Sequence, residues 1–186
     1  MAYLLRKITK SKWDLTAYMK NKSVGSIPAD ALTHCLKTDS NNLSVWETDS
    51  MDWKVNSTLL ATIFSNADGP NRSQILILDK DMLLASNISI EENPGESAAI
   101  DEVNECHRDL SLLDYNAMGT IAGTLAHIIS EYSSLPAKEA RNYAYYKQFT
   151  EKETKNIVEN AIKEGKIDPY KIKSERWKEK LSGLFD

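Results

Sequence analysis

The sequence predicts an α+β protein with a small, mainly antiparallel sheet in its N-terminal half and an all-helical C-terminal half. Segments with a strand pattern lie before residue 92, whereas apolar residues recur at helical spacing through most of the second half. Strands that cluster early and helices that cluster late are typical of α+β folds, and a regular alternation of strand and helix is missing. We therefore expect four strands within residues 1–92 and only helices beyond them.

Four segments predict the strands, and they cover residues 3–8, 43–48, 74–78 and 82–90. Residues 43–48 alternate between apolar and polar side chains, which is typical of a half-buried strand. The last two segments flank Asp79-Lys80-Asp81. Three connecting residues leave little room for anything but a hairpin, so we expect these two strands to pair with each other.

Six segments carry apolar residues at helical spacing and predict helices, at residues 28–37, 55–64, 98–115, 116–132, 150–165 and 170–181. Thr150 and Glu153 form a capping box at the start of the fifth, and Gly165 stands where that helix should end. The composition changes just before Pro136, a residue that also ends any helix arriving from before it. We therefore expect an α+β body over residues 1–135 and a helical C-terminal subdomain over residues 136–186.

Composition and charge exclude several classes of protein. The chain has 186 residues, a formal charge of −4 and 41% hydrophobic residues, which is typical of a globular domain. No run approaches the roughly 18 apolar residues that span a membrane. Arg6 and Lys7 interrupt the apolar N-terminus where a secretory signal would need apolar residues. We expect a soluble, cytoplasmic protein. Lysines outnumber arginines by 18 to 5, a bias often seen in AT-rich genomes, which favours a bacterial or mobile-element source.

Two His-Cys neighbours raise the question of a metal site. They are His34-Cys35 and Cys106-His107. Zinc sites use ligands spaced so that two side chains converge on one ion, whereas adjacent residues on a helix diverge by about 100°. We therefore expect no metal, and no other motif indicates a cofactor.

A polar trio offers the best candidate for a chemical site. On the helix predicted over residues 98–115, Asn104, His107 and Asp114 fall within or beside the apolar stripe, where polar groups must be hydrogen-bonded. A carboxylate can orient an imidazole for acid–base work. Residues seven positions apart on a helix are about 10 Å apart, however, so Asp114 cannot form a direct hydrogen bond with His107. The pattern favours a structural histidine, held by Asn104 or by a backbone carbonyl, over a catalytic one.

Aromatic and basic residues alternate in the segment that contains Arg141, Tyr145 and Lys147. Single-stranded nucleic-acid binders combine stacking rings and cations in this way. Residues 137–186, however, carry 12 basic and 9 acidic side chains, a weaker imbalance than nucleic-acid domains usually show. The pattern favours rings that pack on a neighbouring element.

No catalytic motif is present, and the chain has four tryptophans and eight tyrosines, residue types that dominate protein interfaces. Our first hypothesis is a non-catalytic accessory or regulatory subunit that binds another protein, such as an immunity protein, an antitoxin or a component of a bacterial defence complex. The alternatives are a small enzyme that uses His107 as its acid–base residue and a weak binder of single-stranded nucleic acid. An enzyme should have a pocket at His107 with a convergent acid, whereas a subunit should have exposed apolar side chains.

Overall fold

The computed structural model describes residues 1–184, which form one six-stranded antiparallel sheet and nine α-helices. The strands are β1 Tyr3–Ile8, β2 Leu43–Thr48, β3 Ser73–Asp79, β4 Ser89–Glu92, β5 His107–Ser111 and β6 Tyr146–Phe149. The helices are α1 Thr16–Asn21, α2 Ala29–Cys35, α3 Ser57–Ser65, α4 Lys80–Ala85, α5 Asp101–Asn104, α6 Tyr115–Ser134, α7 Ala137–Ala140, α8 Glu151–Lys163 and α9 Glu175–Lys180. Short 3-10 turns cover Lys10–Lys12, Val24–Ser26, Pro169–Lys171 and Ser182–Leu184. The fold is α+β, with helices interspersed among the strands.

The strands lie in the order β4-β5-β2-β1-β3-β6, and all neighbouring strands are antiparallel. Each face of this sheet packs against helices. On one face α2 and α6 cover a cluster that includes Leu4, Val45, Leu76, Leu110, Leu125 and Ile129. On the other face α3, α8 and α9 cover a cluster that includes Leu5, Leu60, Ile77, Phe149, Val158 and Trp177. The molecule therefore has three layers, helices, sheet and helices, and its central strands contribute buried residues to both faces, whereas the edge strand β4 is largely exposed.

The predicted hairpin over residues 74–90 is wrong. Asp79 does not begin a turn between paired strands; its side chain accepts a hydrogen bond from the backbone N–H of Met82 at 3.1 Å and caps α4. β3 pairs instead with β1 and β6, and β4 pairs with β5. Aspartate favours turns and helix starts alike, because its side chain bonds nearby backbone N–H groups in both.

The helix predicted over residues 98–115 is also wrong. It is a single turn, α5, followed by β5, which pairs with β2 on one side and β4 on the other. Leu110 lies opposite Leu43 in this pairing and fills the core, so tertiary pairing outweighs the helical spacing of a few apolar residues. Strands are therefore not confined to residues 1–92.

The expectation of an all-helical C-terminal half is wrong as well, because β6 pairs with β3 and extends the same sheet. The long apolar helix after residue 115 is confirmed as α6, and the capping box of Thr150 and Glu153 is present at the start of α8. The division at residue 135 stays a prediction. The last two residues of the predicted subdomain lie outside the described residues.

Candidate functional site

The three residues of the predicted polar trio lie on different elements. Asn104 ends α5, His107 begins β5, and Asp114 caps α6 by accepting a hydrogen bond from the Ala117 N–H at 2.8 Å. Asp114 follows the far end of β5, so the structure does not bring it to His107. Asn104 and His107 do come together, on either side of the loop that contains Gly95.

Asn104 is a structural residue that fastens this loop. Its side-chain oxygen accepts hydrogen bonds from the Ser97 hydroxyl at 2.6 Å and the Ser97 N–H at 3.2 Å, and its amide donates to the Ala99 carbonyl at 3.0 Å. The Asn104 carbonyl accepts from the Gly95 N–H at 2.8 Å. Asn104 is almost fully buried, and both ends of its amide have partners, as buried polar groups require.

The His107 ring is hydrogen-bonded to a backbone carbonyl. Its Nδ1 lies 2.5 Å from the Asn93 carbonyl oxygen. Because a carbonyl only accepts, Nδ1 carries the proton in the neutral ring and Nε2 is left as an acceptor. Within residues 1–184, Nε2 has no hydrogen-bond partner. The Trp46 ring and the imidazole pack in a T-shaped arrangement, with ring centroids 5.0 Å apart.

A cleft of about 310 Å³ opens beside His107, with Trp46, Asn66 and Glu96 also in its wall. The loop passes close to its neighbours at Gly95, which leaves little room for a larger residue. A Cβ at this position would lie 3.1 Å from the Trp46 ring and 3.3 Å from the Asn104 side-chain oxygen. The cleft adjoins a second one of about 490 Å³, and the two share Asn66 and Glu96.

No carboxylate is hydrogen-bonded to His107 in the part of the chain that the structure describes, although Glu96 lies in the wall of the same cleft. The nearest acid along the same face of β5 is Asp109, which is buried. Its oxygens accept from the Asn93 amide at 2.6 Å and from the Ser44 hydroxyl at 3.5 Å. Asn93 thus connects the two residues, with its carbonyl on His107 and its amide on Asp109. The imidazole has a fixed tautomer and an adjacent cleft, but it lacks the direct acid partner of an acid–base pair.

The aromatic residues of the C-terminal segment pack mainly on one another. The ring centroid of Tyr132 lies 4.2 Å from that of Tyr146 and 6.3 Å from that of Tyr143. The ring centroids of Tyr143 and Tyr145 are 5.9 Å apart. Lys147 holds its ammonium 5.1 Å from the Phe149 ring centroid, and Arg141 is exposed just after α7. These residues do not form the row of free rings on which successive bases would stack.

The two cysteines lie on opposite faces of the sheet. Cys35 is buried and accepts hydrogen bonds on its sulfur from the Thr9 N–H and the Trp13 indole N–H, both at 3.3 Å. Cys106 packs on the other core and donates to the Glu102 carbonyl at 3.5 Å. The His-Cys neighbours therefore do not meet, and His34 is exposed on α2. Among the described residues, no group of three His, Cys, Asp or Glu side chains is placed to hold a metal ion.

Two of the three most exposed large apolar side chains lie where β5 ends and α6 begins, a segment that we call the 112–115 turn. Leu112 is 78% exposed and Tyr115 is 92% exposed. The backbone of Leu112 has φ = 55°, a left-handed conformation that is uncommon for a leucine. The turn is nevertheless held firmly, because the Leu113 N–H donates to the Asn41 carbonyl at 3.1 Å and Asp114 caps α6. The sequence analysis missed this surface because it predicted one continuous helix over residues 98–115. Asp114 is a residue type that often caps helices, and it could have indicated that a new helix begins there.

Comparison with protein-family models, with curated proteins and with solved structures finds no match. No helix in residues 1–184 is long and apolar enough to cross a membrane.

Proposed function

We propose that the protein is a non-catalytic accessory or regulatory subunit that binds another protein through the 112–115 turn. The observation that carries this proposal is the exposed Leu112 in a left-handed conformation. A non-glycine residue in this region costs about 1–2 kcal/mol, and such strain concentrates at functional sites. An exposed leucine recovers almost none of that cost by burial, so the folded monomer alone gives no reason to keep it.

The chemistry of the turn supports the same role. Tyrosine is enriched among the residues that dominate binding energy, and Leu112 adds an apolar surface close to it. The hydrogen bonds of Leu113 and Asp114 hold the backbone in place before any partner arrives, which lowers the entropy lost on binding. A pre-organised apolar turn is suited to insertion into a pocket of a partner.

The net charge and the cysteines bear on what kind of subunit this protein is. The chain carries 27 acidic and 23 basic side chains, a balance that favours a basic partner surface by electrostatic complementarity. Cys35 and Cys106 are both free, which is usual for a protein of the cytoplasm. An immunity protein, an antitoxin or a component of a bacterial defence complex would meet this description.

Site-specific cross-linking tests the proposal. A photoreactive amino acid at position 115 should trap one protein in extracts of the cells that produce the chain, or a second copy of the chain. The same group at Val55, which is 64% exposed on another surface, is the matched control. The double variant Leu112→Asn/Tyr115→Ser should lose the cross-linked partner, whereas Val55→Ser/Leu84→Ser should keep it. Equal trapping at both positions, or a partner retained by the first double variant, would contradict the proposal.

A second candidate function, a small enzyme that uses His107, is favoured by one observation. Nδ1 is hydrogen-bonded to the Asn93 carbonyl, so in the neutral ring Nε2 is the acceptor, and the residue lines a cleft. The variant His107→Ala separates the two functions. If His107 is structural, the variant leaves the Asn93 carbonyl without its donor and lowers the free energy of unfolding by about 1–3 kcal/mol. A variant as stable as the wild type that has lost its cellular effect while it still binds its partner would instead establish the enzyme.

A further inference from the structure

A separate cavity of about 240 Å³ lies between α4, α6 and the segment that leads into β6. It shares no lining residue with the His107 cleft. Its apolar floor includes Ile77, Ile128 and the exposed thioether side chain of Met82. Pockets for drug-sized molecules begin at about 300 Å³, so this one suits a single small group.

Two tyrosine rings form one wall of the cavity. Tyr143 and Tyr145 have ring centroids 5.9 Å apart and planes inclined by 56°, and both residues line the cavity. The Tyr143 hydroxyl donates to a Glu131 carboxylate oxygen at 2.7 Å, which fixes this ring. Burial, together with that carboxylate, raises the pKa of Tyr143, so the phenol remains a neutral donor at physiological pH.

The charged groups of the cavity are acidic. Asp79 and Glu131 both line it, and none of the described lining residues is lysine or arginine. His127, whose Nε2 lies 3.3 Å from the second oxygen of Glu131, is the one basic group in the wall. Aromatic faces attract cations through their quadrupole, and carboxylates add to that attraction. An anionic ligand would be repelled here, and a fully apolar one would desolvate Asp79 and Glu131 without offsetting their charge.

We propose that this cavity binds an organic cation, an alkylated ammonium or a guanidinium group, with its charge toward Glu131 and the two tyrosines and its carbon atoms on Ile128 and Met82. The cation is either a small molecule or the side chain of a lysine or arginine in a polypeptide. This site is independent of the proposed contact through the 112–115 turn.

Titration of the full chain followed by amide NMR tests the proposal, with tetramethylammonium chloride and methylguanidinium chloride as the probes. Saturable shifts should appear around His127, Glu131, Tyr143 and Tyr145. The same concentrations of sodium chloride and of tert-butanol, a neutral group of similar shape, should leave those signals in place. Absence of saturation up to about 50 mM, well above the Kd of weak small-ligand binding, or equal binding of tert-butanol, would overturn it.

Variants locate the binding. Tyr145→Leu keeps an apolar side chain and removes one ring, so affinity for tetramethylammonium should fall about fivefold or more. Tyr145→Phe keeps the ring and should bind within about twofold of the wild type, which guards against a general effect on folding. Tyr115→Leu, at the exposed start of α6, is the matched control and should bind as the wild type does. Unchanged affinity in Tyr145→Leu would refute the site.

The source of the cation is decided by a second set of probes. Choline represents the free small molecules, and acetylated trimethyllysine amide and arginine amide represent the side chains of a polypeptide. Tighter binding of the two amides indicates a polypeptide ligand, whereas tighter binding of choline indicates a metabolite. Either result supports a cation site, and failure of all three to bind would refute it.

Discussion

Substitution of Leu112 provides a direct energetic test of the 112–115 turn. The left-handed backbone of this residue is strained for leucine and free of strain for glycine. Because the side chain is 78% exposed, little packing is lost when it is removed. We therefore expect Leu112→Gly to lower the free energy of unfolding by no more than about 0.6 kcal/mol, or to raise it, although it removes a large apolar side chain.

The magnitude follows from three contributions. Relief of the left-handed strain stabilises the fold by about 1–2 kcal/mol. Full burial of a leucine is worth about 1.5–3 kcal/mol, so the buried fifth of this side chain contributes about 0.3–0.6 kcal/mol, which is lost. The greater freedom of glycine in the unfolded chain costs a further 0.4–1 kcal/mol or so. In sum, the free energy of unfolding of Leu112→Gly should lie between about 0.6 kcal/mol below and about 1.3 kcal/mol above that of the wild type.

Two comparison variants make the test sharper. Leu112→Ala keeps most of the strain and loses the side chain, so it should be less stable than Leu112→Gly. Leu112→Val places a β-branched residue in the left-handed region and should be the least stable of the series. Urea unfolding followed by circular dichroism measures the series, with the slope m as a check that the folded state is the same. A loss above about 1.5 kcal/mol in Leu112→Gly, or greater stability of Leu112→Ala than of Leu112→Gly, would refute the strain.

Two further predictions concern stability. Burial alone would raise the pKa of Glu47, but Lys80 at 2.5 Å and Arg108 at 2.6 Å outweigh burial and lower that pKa. The stabilisation of the fold by ionised Glu47 is therefore fully present above the unfolded pKa of about 4.3. It is lost as the pH falls through the lower pKa of the folded state. We expect Glu47→Gln to cost about 1–3 kcal/mol at pH 7 and progressively less below pH 4, measured by urea unfolding across that range; a cost independent of pH would contradict the ion pairs. Trp177 is fully buried and donates its indole N–H to the Phe64 carbonyl at 3.1 Å. Trp177→Phe should therefore lower the free energy of unfolding by about 2–4 kcal/mol, measured in a thermal melt. A loss below about 1 kcal/mol would contradict a stabilising role for this buried hydrogen-bonded ring.

The sequence predicts those elements whose signals are local. The 20-residue helix α6 has an apolar stripe long enough to outweigh its glycines, and α8 has a capping box whose two hydrogen bonds form within one turn. β5 has no such signal. Leu110 is the one large apolar residue on it, and its neighbours His107, Arg108 and Asp109 are polar. This segment becomes a strand because β2 and β4 flank it, and pairing between distant segments is not visible in the periodicity of one of them.

The surroundings of His107 also divide into features with a local signal in the sequence and features that depend on distant segments. The carbonyl partner of His107 could be anticipated from chemistry, because an inward imidazole needs an acceptor, but its identity could not. Asn93 reaches His107 and Asp109 only because β4 lies beside β5. The 112–115 turn and the tyrosine cavity were beyond reach for a related reason. The first exists because β5 ends before α6, and the second because α4 replaces the expected hairpin.

The two proposed binding surfaces lie on one helix, which raises the question of coupling between them. Tyr115 begins α6, and His127 and Glu131 lie near its end, about 18 Å or more along the axis at 1.5 Å per residue. The middle of the helix is packed into the core through Ile121 and Leu125, so it is a rigid connection. A rigid helix transmits an effect only if it has a second arrangement that both ligands favour or disfavour. Sites more than about 10 Å apart without shared partners usually contribute additively. Occupation of the cavity by a cation should therefore leave the affinity of the 112–115 turn for its partner unchanged.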